Sequence, residues 1–273
     1  MILKCQLVSD AGCLRTTNED MILFNGKFYR NESFEQIFEV TSQMRFAAIV
    51  ADGIGGNEGG ELASELAVNA FNDFMTMLPA GLPYEALCYE VRKWVDKTHS
   101  FIQSKGLEMP QYKDMGTTIV GIFSYNDHLY RINIGDSRLY RFRNGVLKQL
   151  TCDHSMRELT GDPNSPSNMI YNSLGAGISA FADFTDMTGQ LLADDMLLIC
   201  SDGLSDMLTD EQIIQTMSEN PTALHLTETA KSAGGKDNIS VILLKATERK
   251  APVFFSYPAH FKKDNVFLHT YCT

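Results

Sequence analysis

Several features are missing from this sequence of 273 residues, and each absence excludes a class of protein. No run approaches the roughly 18 apolar residues of a membrane-spanning helix. The N-terminus lacks a basic region followed by an apolar stretch, so a secretory signal is not predicted. The six cysteines are scattered and form no C-x-x-C pair, which favours a reducing compartment over a zinc knuckle or a disulfide framework. We therefore expect a cytoplasmic protein that does not bind a membrane.

Basic residues are also scarce, because 23 Lys and Arg stand against 34 Asp and Glu, for a net charge of −11. A broad basic face for nucleic acid is therefore not expected. Most of this acidity is typical of an ordinary solvated surface. The sequence has no internal repeat, and its length suits one large domain or two small ones.

Hydrophobic periodicity predicts an α+β fold. Apolar residues recur at helical spacing over 62–74 and again over 84–106. From residue 117 onward the period changes to two, with a strong hairpin turn at Asn144-Gly145. Residues 26–42 are polar and irregular, and they are predicted to form a hairpin excursion. The expected architecture is a layered sandwich of antiparallel sheets covered by helices.

The pattern predicts one domain over residues 1–248 and a C-terminal tail over 249–273. Within the domain, residues 157–180 are rich in Gly, Pro, Asn and Ser and are predicted to form a mobile flap. The tail carries several aromatic residues among Lys and Pro. Packing of the tail back onto the domain is preferred over contact with a partner.

The most informative pattern is an acidic residue at one end of each of several apolar runs. Four runs end at, or begin from, Asp52, Asp136, Asp202 and Asp237, and the pair Glu19-Asp20 precedes a fifth. Buried strands hold their ends rigidly, so converging carboxylates would repel one another unless a cation lay between them. Hard divalent cations prefer such oxygen ligands. The pattern therefore predicts a metal centre.

Asp52-Gly53 illustrates the expected chemistry. A carboxylate at a strand end can bridge two cations, and the next turn can aim the Gly53 carbonyl at one of them, because glycine has no Cβ in the way. Two divalent ions about 4 Å apart can share a water, lower its pKa and hold the oxygens of a phosphoryl group. Arg15 stands five residues before Asp20, and its planar fork suits a phosphate dianion.

Taken singly, these elements are weak signals. An Asp-Gly after a strand is most often a turn, and an arginine in a polar loop is usually a solvated charge. The glycines from Gly53 to Gly60 miss the G-x-G-x-x-G spacing of a dinucleotide-binding turn, because Glu58 stands at the last position. The combination of carboxylates with Arg15 is what points to a phosphoryl-binding metal centre.

Seven groups of residues carry a family resemblance that spans residues 5–245. In chain order they are Ser9-Asp10-Ala11-Gly12 with Arg15-Thr16-Thr17-Asn18-Glu19-Asp20, Val50-Ala51-Asp52-Gly53-Ile54-Gly55-Gly56, Gly116-Thr117-Thr118, Asn133-Ile134-Gly135-Asp136-Ser137-Arg138, Leu150-Thr151-Cys152-Asp153-His154-Ser155, Ser201-Asp202-Gly203-Leu204 and Lys236-Asp237-Asn238-Ile239-Ser240. The sequence resembles, in this order of motifs, the metal-dependent (type 2C, PPM) Ser/Thr protein phosphatases of the bacterial type.

The resemblance implies a four-layer αββα sandwich, with two antiparallel sheets flanked by helices. It also implies a cofactor of two or three Mn²⁺ or Mg²⁺ ions. Asp52 would bridge two of these ions while Gly53 offers its carbonyl oxygen. Asp202 and Asp237 would complete the first metal site.

By the same resemblance, Glu19 and Asp20 would hold the second ion, partly through water. Asp136 would help to bind the third ion that bacterial-type members contain. Arg15 would bind the substrate phosphate, so Arg15 and Asp52 are the expected catalytic residues.

One position departs from part of the family. Some members, mainly eukaryotic, place a histidine general acid directly after the Asp-Gly, whereas this sequence has Ile54. Bacterial-type members often have an apolar residue there, so activity is still expected, with a metal-bound water as the hypothetical proton donor. His154 is an alternative catalytic group, although a structural role is preferred. A cysteine phosphatase loop is not expected, because only four residues separate Cys152 from Arg157 and Cys-x5-Arg needs five.

The sequence thus predicts a protein phosphatase that hydrolyses phosphoserine and phosphothreonine through a metal-bridging water, without a covalent phosphoenzyme. Its partners would be phosphoproteins, in opposition to a Ser/Thr kinase, and we expect a monomer. A pseudophosphatase that only binds partners is disfavoured, because the metal-binding aspartates and Arg15 are all present. A dedicated regulator of one phosphoserine signalling protein stays open, since it would share the same chemistry.

Overall fold

A computed structural model describes residues 2–41, 44–55, 59–162, 165 and 169–247. The tail over 249–273, which the sequence predicts to pack on the domain, lies outside the described residues. So does residue 248, the predicted end of the domain.

The strands and helices fall close to the periodicities of the sequence. The strands are β1 (Ile2–Asp10), β2 (Met21–Phe24), β3 (Lys27–Tyr29), β4 (Ser33–Glu39), β5 (Ala47–Ala51), β6 (Gly53–Ile54), β7 (Gly116–Thr117), β8 (Ile119–Tyr125), β9 (His128–Ile134), β10 (Arg138–Arg143), β11 (Val146–Gln149), β12 (Asp183–Asp186), β13 (Met196–Cys200) and β14 (Ile239–Thr247). The helices are α1 (Gly59–Met77), α2 (Tyr84–Glu108), α3 (Met156–Thr160), α4 (Asp202–Ser205), α5 (Asp210–Glu219) and α6 (Ala223–Ser232), with a 3-10 turn at Pro110–Tyr112.

The strands form two six-stranded sheets in which neighbours run antiparallel. The first sheet has the order β11-β10-β13-β14-β1-β4, and the second has the order β12-β9-β8-β5-β2-β3. Strands β6 and β7 pair separately as a short ribbon.

Strand β5 shows why its part of the sequence is apolar without interruption. All five of its residues are buried. Ala47, Ile49 and Ala51 pack towards helices α1 and α2, whereas Ala48 and Val50 pack between the two sheets. Because side chains alternate between the faces of a strand, burial on both faces requires an apolar residue at every position.

Three apolar layers separate four layers of secondary structure. One lies between α1, α2 and the second sheet, one lies between the sheets, and one lies between the first sheet and helices α4, α5 and α6. This arrangement confirms the predicted αββα sandwich. No helix in the part of the chain that the structure describes is long and apolar enough to cross a membrane.

Two local predictions concern polar segments of the chain. The polar segment 26–42 does not form a hairpin of its own, because β3 pairs with β2 in the second sheet and β4 pairs with β1 at the edge of the first sheet. Only Phe34 and Phe38 of β4 pack against the core between the sheets, so an exposed edge strand gives the segment its polar composition. Helix α3, whose N-cap is Ser155, covers the start of the predicted flap. Residues 163, 164 and 166–168 of the flap lie outside the described residues, and its mobility stays a prediction.

We predict that Phe71→Ala lowers the free energy of unfolding by about 3–5 kcal/mol, because it leaves a cavity in a fully buried site. The Phe71 ring joins α1 to α2 and β8, with ring centroids 5.1 Å from Trp94 and 5.6 Å from Phe123. Urea denaturation measures the change. Leu107→Ala on α2 is the control, because Leu107 is 82% exposed and should change stability by less than about 0.5 kcal/mol. Equal losses for the two variants would contradict the packing described here.

Candidate active site

The strand ends that carry acidic residues meet at one end of the sandwich. They border a cavity of about 350 Å³. Seven of the candidate residues from the sequence line this cavity, namely Arg15, Glu19, Asp52, Gly53, Asp136, Asp202 and Asp237. Ile54, Gly55, Thr118 and Ile170 complete the wall.

Asp52 follows β5 and is fixed by its own backbone. Its N–H donates to Thr118 Oγ1 at 3.0 Å, and its carbonyl oxygen accepts from the N–H of Thr118 at 2.9 Å. The next residue, Gly53, lies against the backbone of Gly60 at the start of α1, where a Cβ would clash with the Gly60 carbonyl oxygen. Only glycine therefore permits the chain to turn here and expose the Asp52 carboxylate to the cavity.

Asp202 and Asp237 reach the cavity from neighbouring strands of the first sheet. Asp202 is the first residue of α4, just after β13, and Asp237 lies two residues before β14 begins. Asp237 Oδ2 accepts a hydrogen bond from Arg15 Nη2 at 2.7 Å. The Arg15 side chain is 51% exposed, so its guanidinium pairs with a carboxylate while it stays accessible from solvent.

Asp20 is the candidate that does not line the cavity. It is 1% exposed, and its Oδ2 accepts from Ser201 Oγ at 2.8 Å. Its Oδ1 is buried and has no hydrogen-bond partner among the described residues. A buried carboxylate oxygen without a partner is costly, so this atom fits a site that a cation or water completes.

Asp136 follows β9, and His154 holds the preceding residue in place. The N–H of Gly135 donates to His154 Nδ1 at 3.0 Å, and the N–H of His154 donates to the Gly135 carbonyl oxygen at 3.0 Å. His154 is 2% exposed and is not among the residues that line the cavity. These contacts favour the structural role of His154 over the catalytic alternative.

The crowding of carboxylates raises their pKa values above the ordinary value. Burial is the largest cause, and neighbouring carboxylates add to it. The pKa rises to about 7 for Asp20 and Asp136 and to about 6 for Asp202, and that of Asp52 lies well above its usual range. Such a site gains stability from a positive charge placed among the carboxylates.

The donor set suits a hard cation, since it consists of carboxylate and carbonyl oxygens. Within the described residues, however, no three His, Cys, Asp or Glu side chains already form a set that could hold a metal ion. Asp52 and Asp202 lie close enough in the cavity for each carboxyl group to affect the pKa of the other. The oxygens thus fit a metal centre in chemistry and in location.

The sequence did not single out the residues that support this site. Ser64 Oγ donates to the Glu19 carbonyl oxygen, and Arg30 Nε donates to the Asp20 carbonyl oxygen at 3.0 Å. Arg30 also pairs with Glu61 of α1 at 2.7 Å. No local pattern marks these side chains, because their partners lie 10 to 45 positions away in the sequence.

Comparison with known proteins identifies the family of this chain. The sequence profile of the Protein phosphatase 2C family matches residues 32–240. The serine/threonine phosphatase stp of Listeria monocytogenes serotype 4b (strain F2365) is 32% identical over 258 residues, covering 87% of this chain and 93% of that protein.

Solved structures of serine/threonine phosphatases share the fold of this chain. The S. agalactiae serine/threonine phosphatase has a TM-score of 0.72 at 26% identity, covering 89% of this chain and 99% of that chain. The catalytic domain of the phosphatase PstP, solved in complex with two manganese ions, has a TM-score of 0.67 at 26% identity. That match covers 91% of this chain and 100% of the PstP chain. The chain therefore belongs to the protein phosphatase 2C family, as a serine/threonine phosphatase of the bacterial type.

Proposed function

We propose that the cavity hydrolyses phosphoserine and phosphothreonine in proteins through a metal-bridging water, without a covalent phosphoenzyme. The observation that carries this proposal is the convergence of one arginine and several carboxylates on a single cavity. The converging side chains are Arg15, Glu19, Asp52, Asp136, Asp202 and Asp237. The proposed substrates are phosphoproteins made by a Ser/Thr kinase.

The proposed cofactor is Mn²⁺ or Mg²⁺, since the related PstP domain was solved with two manganese ions. When bound, the ions would supply a water of lowered pKa and neutralise charge on the phosphoryl oxygens. The residues proposed to hold two or three ions are Glu19, Asp20, Asp52, Gly53, Asp136, Asp202 and Asp237.

Arg15 is proposed to bind the substrate phosphate. Its guanidinium has five N–H donors in a planar fork, and the hydrogen bond to Asp237 uses one of them. A phosphate dianion in the cavity can accept from the remaining donors while Asp237 keeps the guanidinium in place. Ile54 lines the cavity and has no proton to donate, so we propose that water in the site protonates the leaving serine or threonine oxygen.

A cysteine nucleophile is the alternative chemistry for a phosphatase. Cys152 is absent from the residues that line the cavity. Desolvation, followed by the nearby Glu158 carboxylate, raises the pKa of its thiol. A nucleophilic cysteine needs a lowered pKa, so the surroundings of Cys152 oppose that role.

We predict that Asp202→Asn lowers kcat/KM for Mn²⁺-dependent hydrolysis of p-nitrophenyl phosphate by at least about 100-fold, because an anionic oxygen ligand is lost. The fold should persist, as judged by circular dichroism. Asp210→Asn serves as the control, since Asp210 is exposed in the first turn of α5 and does not line the cavity. Turnover by Asp202→Asn at the rate of the unaltered protein would refute the metal assignment.

Arg15→Ala should raise KM for the same substrate by about tenfold or more while lowering kcat less, because Arg15 would bind phosphate in the ground state. Steady-state kinetics separate the two constants. Arg92→Ala should leave both unchanged, since Arg92 is an exposed residue of α2 outside the cavity. A fall in kcat without a rise in KM would instead assign Arg15 to the transition state.

We further predict that Mn²⁺ raises the melting temperature more at pH 8 than at pH 5.5. Without metal, burial raises the pKa of Asp20 and Asp136 to about 7 and that of Asp202 to about 6, above the ordinary value of 3.8. Their stabilising contribution is complete below pH 4 and is lost as pH rises towards 7. Ionisation also frees the carboxylates for Mn²⁺, so the metal offsets this loss at high pH.

Differential scanning fluorimetry of the protein with EDTA and with excess Mn²⁺ measures this difference. Groups whose pKa is lowered by folding, such as Asp186 and Asp195, have already made their contribution by pH 5.5 and add no trend. Asp202→Asn should reduce the effect of Mn²⁺ at pH 8. An equal rise in melting temperature at both pH values would contradict ion binding by these carboxylates.

A further inference from the structure

Residues 11–19, which we call the arginine loop, carry Arg15 and Glu19 to the cavity. Asn238 lies beneath this loop, one residue before β14, and is 4% exposed. Its Nδ2 donates to the carbonyl oxygens of Ala11 at 3.0 Å and Thr17 at 2.9 Å. Its Oδ1 accepts from the N–H of Glu19 at 2.8 Å. One side chain therefore holds both ends of the arginine loop.

The hydrogen-bonding capacity of the Asn238 carboxamide matches its three partners. The amide nitrogen has two N–H donors and faces two carbonyl oxygens, whereas the amide oxygen faces an N–H. The opposite orientation would place oxygen against two carbonyl oxygens, so the partners fix the orientation. Asn238 also donates its own N–H to Asp237 Oδ1 at 2.8 Å, which connects it to the residue that pairs with Arg15.

The arginine loop also lies directly on the backbone that precedes β14. The N–H of Cys13 donates to the Gly235 carbonyl oxygen at 2.7 Å. Gly12 has a φ of +78°, and a Cβ at this position would clash with the Asp237 carbonyl oxygen. Residues 13–17 are exposed, so apolar burial contributes little to holding the loop. Hydrogen bonds to the backbone and to Asn238, together with those of the buried Asn18 to Ser9 and Asn31, therefore fix its conformation.

We propose that Asn238 is a positioning residue that holds the arginine loop against the backbone preceding β14, so that Arg15 and Glu19 stay at the cavity. Asn238 does not line the cavity, and it acts through the loop. Without it, each phosphate that binds would have to order the loop, which weakens binding. The kinetic test of this inference rests on the proposed function of Arg15, whereas the structural test does not.

The structural test is amide hydrogen exchange of Asn238→Ala in the metal-free protein. The Glu19 amide should exchange about tenfold faster or more, because its acceptor is gone and the loop opens locally. Ser124→Ala is a matched control, because Ser124 Oγ also joins two backbone groups, the N–H of Phe46 and the carbonyl of Met44. The control should leave the Glu19 amide unchanged. Unchanged exchange at Glu19 and Cys13 in Asn238→Ala would overturn the proposal.

The kinetic test is a double-mutant cycle between Asn238 and Arg15 on KM for p-nitrophenyl phosphate. Arg15→Ala should raise KM about tenfold in the unaltered protein but less than about threefold in the Asn238→Ala background, where Arg15 is already displaced. Additive effects would indicate that Asn238 only stabilises the fold, and would overturn the proposal. If the unaltered protein shows no Mn²⁺-dependent hydrolysis, the proposed function fails and the exchange experiment still decides the role of Asn238.

If Asn238→Ala does not fold, both tests use Asn238→Asp. This variant keeps the side-chain volume and the oxygen that accepts from the Glu19 N–H, but it loses the N–H donors to the carbonyl oxygens of Ala11 and Thr17. We then expect the Cys13 amide to exchange about tenfold faster. The effects of Asn238→Asp and Arg15→Ala on KM should again be non-additive. Unchanged exchange at Cys13, or additive effects on KM, would overturn the proposal.

Discussion

The crowding of like charge at one end of the sandwich is the constraint on which the rest of the structure depends. Asp52, Asp136 and Asp202 line one cavity, and their burial and mutual repulsion raise their pKa values. Carboxylates in such a position favour protonation or the binding of a cation. The surrounding backbone must therefore be rigid enough to hold them together against their mutual repulsion.

Rigidity comes from the two sheets and from the hydrogen bonds that connect them. The second sheet supplies Asp52 and Asp136, whereas the first sheet supplies Asp202 and Asp237. The cavity therefore needs both sheets, and the apolar layer that packs the sheets face to face holds the two pairs of aspartates near each other. Ser201 links the two halves directly, because its hydroxyl at the end of β13 donates to the Asp20 carboxylate before β2.

Much of this arrangement could be predicted from short motifs. Each strand end with an acidic residue is a local feature, and Gly53 marks a turn that only glycine permits, so the sequence contains both signals. Asp20 differs, because nothing local distinguishes it from Glu19, yet it is buried behind the cavity while Glu19 lines it. The supporting residues Arg30 and Ser64 were not predicted, because the backbone groups that accept their hydrogen bonds lie elsewhere in the sequence. Strand β4 was not predicted, because an edge strand with one exposed face has the polar composition of a loop.

The sequence by itself determined the α+β class, the continuous apolar strands, and which carboxylates and arginine belong together. It could do so because periodicity and acidic strand ends are properties of neighbouring residues. Only the tertiary structure decided which carboxylates face the cavity, which one is buried behind it, and how Asn238 holds the arginine loop against β14. These outcomes depend on contacts between residues far apart in the sequence, such as Asn238 with Ala11 at 227 positions and Ser201 with Asp20 at 181 positions, and the packing of the two sheets creates them.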